Sequence, residues 1–549
     1  IDGWVMQGRL SSESLLQRLD ESIATSNAIP FDAKPTLQRV FESVSNSEGL
    51  LPESALLSLL QTKAALPPSP ELVEASKVLF EALVYLSSFP MTGPKVGSHV
   101  EGLTLAELSR ALVWILPRNY QYVIEEGNFS RVRTPADHRR LIFQSLALSH
   151  EHALYDASLA RKLALRNAFD IDREYLADLC LTNHDDDGDE IYHDLLDVLY
   201  STQPDVIPGI SPAHRDAFRP AAKTISAEKH IPLLRTLGIP AERFVSLVRL
   251  LLATQFKPPI PAEQQQQQAD IAIYTPAARS IAAAFTTPGT HDLITHPQFD
   301  HALAHLAPYL FDSLYQFLST TFLGQTYFLV AGNLDRPSQL PLSTPTPSPS
   351  ASTLTLPRAS QLTTFLAGAA YFPWFYLHAH FSATPTTPPP TAASLARAIQ
   401  SAPPGIQTAV VLLSGRDTST LQTVIFGLFT PHPTADMTSI QHTHVPDHVG
   451  TEGCALFQLA PTHGVFRGRV GKPGWRVLGE ETIVFGEVGA GVCLRLRPGP
   501  EREGRIWFDE AKADRERERD GWTYEADVQR GDWLAEFELE RIEIWSERE

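Results

Sequence analysis

The sequence predicts an α+β protein, with a helical N-terminal half followed by a β-rich C-terminal part. Three observations predict it. Up to about residue 330, apolar residues recur at helix spacing. From residue 354 onward they form short β-branched and aromatic runs bounded by Gly, Pro or charge. Five of the eight tryptophans (Trp475, Trp507, Trp522, Trp533 and Trp545) fall in the last 75 residues, the density expected of a packed β core.

The helical half is built from repeated stripes. Leu15, Leu16 and Leu19 share a face, as do Leu37, Val40, Phe41 and Val44, and then Leu56, Leu57, Leu59 and Leu60. Ser12-Glu13 and Pro52-Glu53-Ser54 are start signals. The pattern continues at 80–86, 105–116, 141–148 and 191–199, with Pro/Gly breaks at 89–97 and 204–212. Residues 1–125 and 126–332 are expected as two helical regions. Residues 258–268 (PPIPAEQQQQQ) read as a polar linker, and 333–353 as a Pro/Ser/Thr linker too poor in apolar residues to offset chain entropy.

The C-terminal part is expected to span 354–549 as a self-contained unit, with 384–391 (TPTTPPPT) as an internal loop. Residues 395–399 read as a helix. The runs 409–413 and 424–429, joined by the polar turn 415–420, read as a hairpin. Short strands are expected at 454–459, 483–485, 492–496 and 506–508.

Composition narrows the function. With 43% hydrophobic and 20% charged residues in 549, a sizeable core is available. A net charge of −18 argues against a nucleic-acid binder, which needs a basic face. It also disfavours an anionic membrane surface unless a basic patch or lipid intervenes. Cys180, Cys454 and Cys493 are far apart and match no zinc spacing, so they read as buried thiols of a reducing compartment. No apolar run reaches the roughly 18 residues of a membrane span. The chain begins at Ile1, which leaves a preceding segment and N-terminal lipidation open.

Several motifs invite chemistry. In 183–194 (NHDDDGDEIYHD), Asn183, Asp185, Asp187 and Asp194 fall at the first, third, fifth and twelfth positions of a calcium loop. Glu190 stands where an apolar anchor belongs, and the last ligand is Asp rather than Glu. An acidic cap on the following helix explains the same residues. Residues 41–60 and 102–116 share the helix–loop–helix rhythm of EF-hands but lack ligand oxygens, and so read as degenerate EF-hand-like subdomains. His442, His444 and Asp447, near His432, His448 and Asp436, are drawn as a metal site only with difficulty, because the segment reads as a polar loop. Gly486, Gly489 and Gly491 precede a strand-like run rather than a helix, so a tight turn fits and a phosphate loop does not. Leu413-Ser414-Gly415 is no nucleophile elbow. Asp509 and Glu510, beside the charge run 512–520, read as an acidic, partner-facing tip.

The C-terminal blocks occur in a definite order: a strand ending Phe426-Gly427, the turn and strand 450–457, the small-residue turn 486–491, the tip 507–510 and a terminal Ile544-Trp545. In that order they resemble the TLDc family over nearly the whole of 354–549. The resemblance implies a β-sandwich of two antiparallel sheets flanked by helices. It implies no catalytic residue and no cofactor. TLDc proteins are partners of V-ATPase subunits, and some act as oxidative-stress protectants. A helical, EF-hand-like half before one TLDc domain is most similar to the fungal telomere-capping branch of the family, whose name records a genetic association. The expected function is therefore a non-enzymatic adaptor that modulates assembly of the vacuolar proton pump. It would be cytoplasmic, with peripheral association at the vacuolar membrane and no small-molecule substrate. The rival expectation is an oxidative-stress protectant or metal/redox-active enzyme using the 442–448 histidines, Cys454 or Cys493.

Overall fold

A computed structural model describes residues 2–91, 101–117, 119–124, 135–156, 158, 160, 191–203, 213–256, 270–286, 292–324, 352–366, 375–382, 390–400, 409–430, 454–468, 475–479, 481–487, 490–499, 502–508, 524, 530 and 532–547. It is an α+β protein, with a large antiparallel sheet in its C-terminal half.

The helices start where local chemistry satisfies their orphan N–H groups. Ser11 caps the Ser12–Thr25 helix, and Ser69 caps Pro70–Ser88, whose first residue is proline. Thr104 and Glu107 form a reciprocal capping box at the head of Leu105–Ile115. The helices Lys34–Val44, Glu53–Lys63, Pro70–Ser88 and Leu105–Ile115 form two helix–loop–helix units. Their loops are joined by one antiparallel bridge: Leu51 N–H donates to Leu103 O at 2.8 Å, and Leu103 N–H returns to Leu51 O at 3.0 Å. In the first loop Gly49 takes φ +72°, and Asn46 Oδ1 accepts from the N–H groups of Glu48 and Leu50, both at 3.0 Å.

The arrangement recurs. Arg219–Glu228 with Ala241–Ala253, and Thr275–Ala284 with His296–His305, are two further helix–strand–helix units, and Ala241–Ala253 packs on Thr275–Ala284. A three-stranded sheet of β1 (Leu148–Ser149), β2 (Leu237–Pro240) and β3 (Leu293–Thr295) joins their loops, with Ile239 opposite Ile294. Beneath it Phe143, Phe244, Phe285 and Phe299 pack edge-on or tilted, with ring centroids 4.8–5.9 Å apart.

The C-terminal strands are β4 (Phe375–Ser382), β5 (Ala409–Asp417), β6 (Thr423–Thr430), β7 (Ala455–Ala460), β8 (Gly464–Arg467), β9 (Trp475–Leu478), β10 (Thr482–Glu487), β11 (Ala490–Arg497), β12 (Glu503–Phe508) and β13 (Trp533–Glu547). The hydrogen-bonded order is β8-β7-β6-β5-β13-β12-β11-β10-β9, and β4 also pairs with β13. The two sheets expected from the sequence are thus one sheet whose two wings share β13. Its first half pairs with β12 and its second half with β4, while β5 runs along residues 537–546. Register shifts at Leu539/Arg541 and Ile544/Trp545 mark the fold line, since bulges bend and twist a strand.

One face of both wings meets in a single inner core. Val411, Leu413, Phe426 and Leu456 come from one wing; Ile483, Phe485, Leu494 and Ile506 come from the other. The Ala392–Gln400 helix adds Leu395 and Ile399 to that core, and buried Tyr524 bridges Gly468 and Gly491. Each wing carries a glycine under a cross-strand ring. A Cβ on Gly427 would sit 2.2 Å from Phe457 Cζ, and one on Gly504 would sit 2.2 Å from Phe537 Cζ.

The opposite face of β5–β8 is buried too. Val410, Leu412, Ile425, Phe457, Leu459 and Val465 join the same core cluster as the helices. Each fully buried Leu, Val or Phe side chain contributes about 1.5–3 kcal/mol. This shared surface therefore binds the helical half to the sheet, and the 354–549 unit has no core boundary with it on that side.

Candidate functional site

The residues singled out by sequence go to different places. Asn183, Asp185 and Asp187 lie outside the described residues. Asp194 is buried at 1% exposure on the Ile191–Ser201 helix, and its Oδ1 accepts from Arg140 Nη2 at 2.8 Å. Arg140 also pairs with Asp137 at 3.0 Å. Asp509 and Glu510 lie outside the described residues, directly after the end of β12 at Phe508. His432, Asp436, His442, His444, Asp447, His448 and Cys180 also lie outside them.

Cys454 and Cys493 are buried, as their apolar runs implied. The Tyr524 phenol lies against Cys454, and burial pushes its pKa well up, with the thiol adding to the shift. These are features of inert core thiols, since reactive cysteines need access and a positive field. Among the described residues, no group of three His, Cys, Asp or Glu side chains is placed to hold a metal ion.

What the fold does bring together is a polar cluster where helices meet sheet. The short turn between β7 and β8 carries His463, exposed by only 2%. A carbonyl can only accept, so His463 Nε2–H donates to Leu306 O at 2.9 Å. Nδ1 is then the acceptor, receiving Gln361 Nε2 at 3.1 Å. Gln361 Nε2 also donates to Leu459 O at 3.0 Å, and Ser280 Oγ donates to the same carbonyl at 2.6 Å. The His463 N–H closes the ring on Ser280 O at 2.9 Å. Burial pushes the imidazole down to about 4, and the Leu306 carbonyl only partly opposes it. Ser280 gives its proton to a carbonyl and not to the imidazole, so the set lacks the geometry of a nucleophile and its base. It acts as a clamp between the helices and the sheet.

A second polar anchor lies on β13. Glu543 is 2% exposed, and its carboxylate receives Thr353 N–H at 2.6 Å, Leu354 N–H at 3.2 Å and Trp545 Nε1–H at 3.1 Å. The chain entering the C-terminal part is thereby pinned to the sheet's longest strand.

The outer face of the second wing is solvent-exposed. Leu534, Glu536, Glu538 and Glu540 alternate outward on β13, with Leu534 at 53% exposure. Arg505–Glu536 (3.4 Å) and Arg416–Glu540 (2.9 Å) lace it. Leu421, 72% exposed, caps the neighbouring β5–β6 turn. In sequence, β12 ends at Phe508, immediately before residues 509–510.

No protein-family model matches the chain, and no curated protein matches it. His463, Gln361, Ser280 and Glu543 were not legible as site residues. A polar side chain reads as surface until its partners are known, and those of these residues lie as far as 81 (Ser280–Gln361) to 190 (Thr353–Glu543) positions away.

Proposed function

We propose that this chain is a non-enzymatic adaptor of the TLDc type that docks reversibly on the vacuolar proton pump and shifts assembly of its peripheral and membrane sectors. The observation that carries the reading is the exposed outer face of β13, with Leu534, and Leu421 of the neighbouring turn, among cross-strand ion pairs; Asp509 and Glu510 follow β12 in the sequence. An apolar contact inside a charged rim suits a transient protein interface. The doubled helix–loop–helix arrangement, each pair bridged between its loops, supports an EF-hand-like ancestry for the helical half. The chain acts from the cytoplasmic side, at the vacuolar membrane. Among the described residues, no helix is long and apolar enough to cross a membrane.

The test is a pull-down from vacuolar membrane extract with the full chain as bait, because the helices and the sheet share one core. Pump subunits recovered by wild type and lost with Asp509→Lys/Glu510→Lys support the reading and its surface. Recovery by neither sinks it.

A further inference from the structure

Two arginines stand directly opposite each other on the outer face of the second wing. Register places Arg495 of β11 against Arg505 of β12, and Arg505 against Glu536 of β13. Directly opposed residues share a face, so Arg495, Arg505 and Glu536 form one row across three strands. Arg505 pairs with Glu536 at 3.4 Å, their side chains 41% and 45% exposed. Arg495 is partly exposed and makes no hydrogen bond or ion pair among the described residues. The next outward row, two residues and about 7 Å along the strands, is apolar. There Trp507 stands opposite the exposed Leu534. The Arg505 guanidinium lies over the Trp507 ring, 5.5 Å from its centroid.

Charge sets this row apart from its neighbour. On the other side of it, Arg497, Glu503, Glu538 and Arg416 follow one another across four strands, two cations against two anions. The Arg495–Arg505–Glu536 row holds two cations against one anion. Like charges directly opposite each other weaken a sheet, so the Arg495–Arg505 pair costs the free protein stability. An anion laid on the row would relieve that repulsion. In a chain of net charge −18, such an excess of positive charge on an exposed face is a local feature, and it suits an acidic partner.

We propose that this face docks an extended acidic segment of a partner protein, with its carboxylates on Arg495 and Arg505 and its apolar side chains on Trp507 and Leu534. An extended segment lying across the strands, between the two rows, sends alternate side chains to either side. Acidic and apolar residues in alternation therefore fit it. Guanidinium forks take carboxylate oxygens in pairs, and an aromatic–leucine contact beside them supplies the apolar anchor. The inference rests on the adaptor reading only in taking this face as the docking surface, and not on which protein docks.

The test uses the full chain and a fluorescein-labelled peptide that alternates glutamate with leucine, followed by anisotropy. Binding should weaken as salt rises, and by about tenfold in Arg495→Gln and in Leu534→Ser. Arg495→Gln removes a like-charge contact, so its Tm should equal or exceed that of wild type. A lower Tm would assign Arg495 to the fold and overturn the proposal. No binding by wild type overturns it too, as does binding undiminished in Arg495→Gln. Equal affinity for the lysine–leucine peptide, or for a single-stranded oligonucleotide of matched charge, also overturns it. Peptide bound while the pull-down recovers no pump subunits supports this inference and sinks the adaptor reading. Pump subunits recovered without peptide binding do the reverse.

Discussion

Gln361 Nε2 and His463 Nδ1, 102 residues apart in the chain, meet at 3.1 Å between a helix and the β7–β8 turn. That contact works only with a neutral imidazole, whose other nitrogen donates to Leu306 O. Protonating Nδ1 would set two donors against each other inside a desolvated pocket.

Stability should therefore fall with acid in a window set by this residue. The folded pKa of His463 is depressed to about 4, so below the unfolded value of about 6.5 the unfolded chain binds the extra proton. The stabilisation is complete above about pH 6.5 and is lost as pH falls toward 4, to the extent of about 3 kcal/mol. His305, depressed in the same direction, adds to it. Urea unfolding of wild type and His463→Asn across that range checks this. The variant should be less stable at pH 7 and show a visibly flatter pH slope.

Asp312 predicts the opposite sign. It heads the Asp312–Leu318 helix, buried, with Oδ2 lacking a hydrogen-bond partner among the described residues, and burial pushes its pKa well up. The stability it contributes is present below about pH 4 and lost as pH rises, because the unfolded carboxyl ionises freely. Asp312→Asn should raise stability at neutral pH by about 1–3 kcal/mol. An unchanged or lower Tm at pH 7 would count against this reading.

Removing the Glu543 anchor should free one segment rather than the whole fold. In Glu543→Ala, the N–H groups of Thr353 and Leu354 and the Trp545 indole lose their acceptor, at a cost of about 3 kcal/mol. Hydrogen exchange should accelerate first at Thr353 and Leu354, ahead of β5 and β6.

Gly427→Ala should be destabilising by about 1–3 kcal/mol or more. Its new Cβ would meet the Phe457 ring at 2.2 Å and Val411 O at 2.7 Å, in a strand buried on both faces. Chemical denaturation gives the value. Phe457→Leu in the same chain should recover part of it, because the clash is with the ring.

Asp194→Ala should cost about 1–3 kcal/mol, because it removes one of the two buried carboxylates that hold the Arg140 guanidinium and leaves it to Asp137. The loss should be the same with calcium as with a chelator, as expected of a carboxylate committed to arginine.

Much of the architecture was readable beforehand. Leu56, Leu59 and Leu60 do share a buried face, the 395–399 helix and 409–413 strand are where periodicity put them, and Gly486 and Gly491 sit at positive φ around the β10–β11 turn. The second bridged pair was harder to see. Leu237–Pro240 ends in proline and Leu293–Thr295 has three residues, too few for alternation to show. The join between the halves did leave a trace: the run AVVLLSG is apolar at both odd and even positions, as a strand covered on both faces must be. What the sequence could not show is which distant groups satisfy His463 and Glu543, since those pairings exist only once the chain has folded.

The most direct test of the account is the assembled fraction of the vacuolar pump, measured as peripheral sector retained on purified vacuolar membranes with and without added full-length chain. A module moves that equilibrium only by binding one state better than the other. The account predicts a concentration-dependent change in retention, abolished by Asp509→Lys/Glu510→Lys. Retention that stays constant at saturating chain would contradict it.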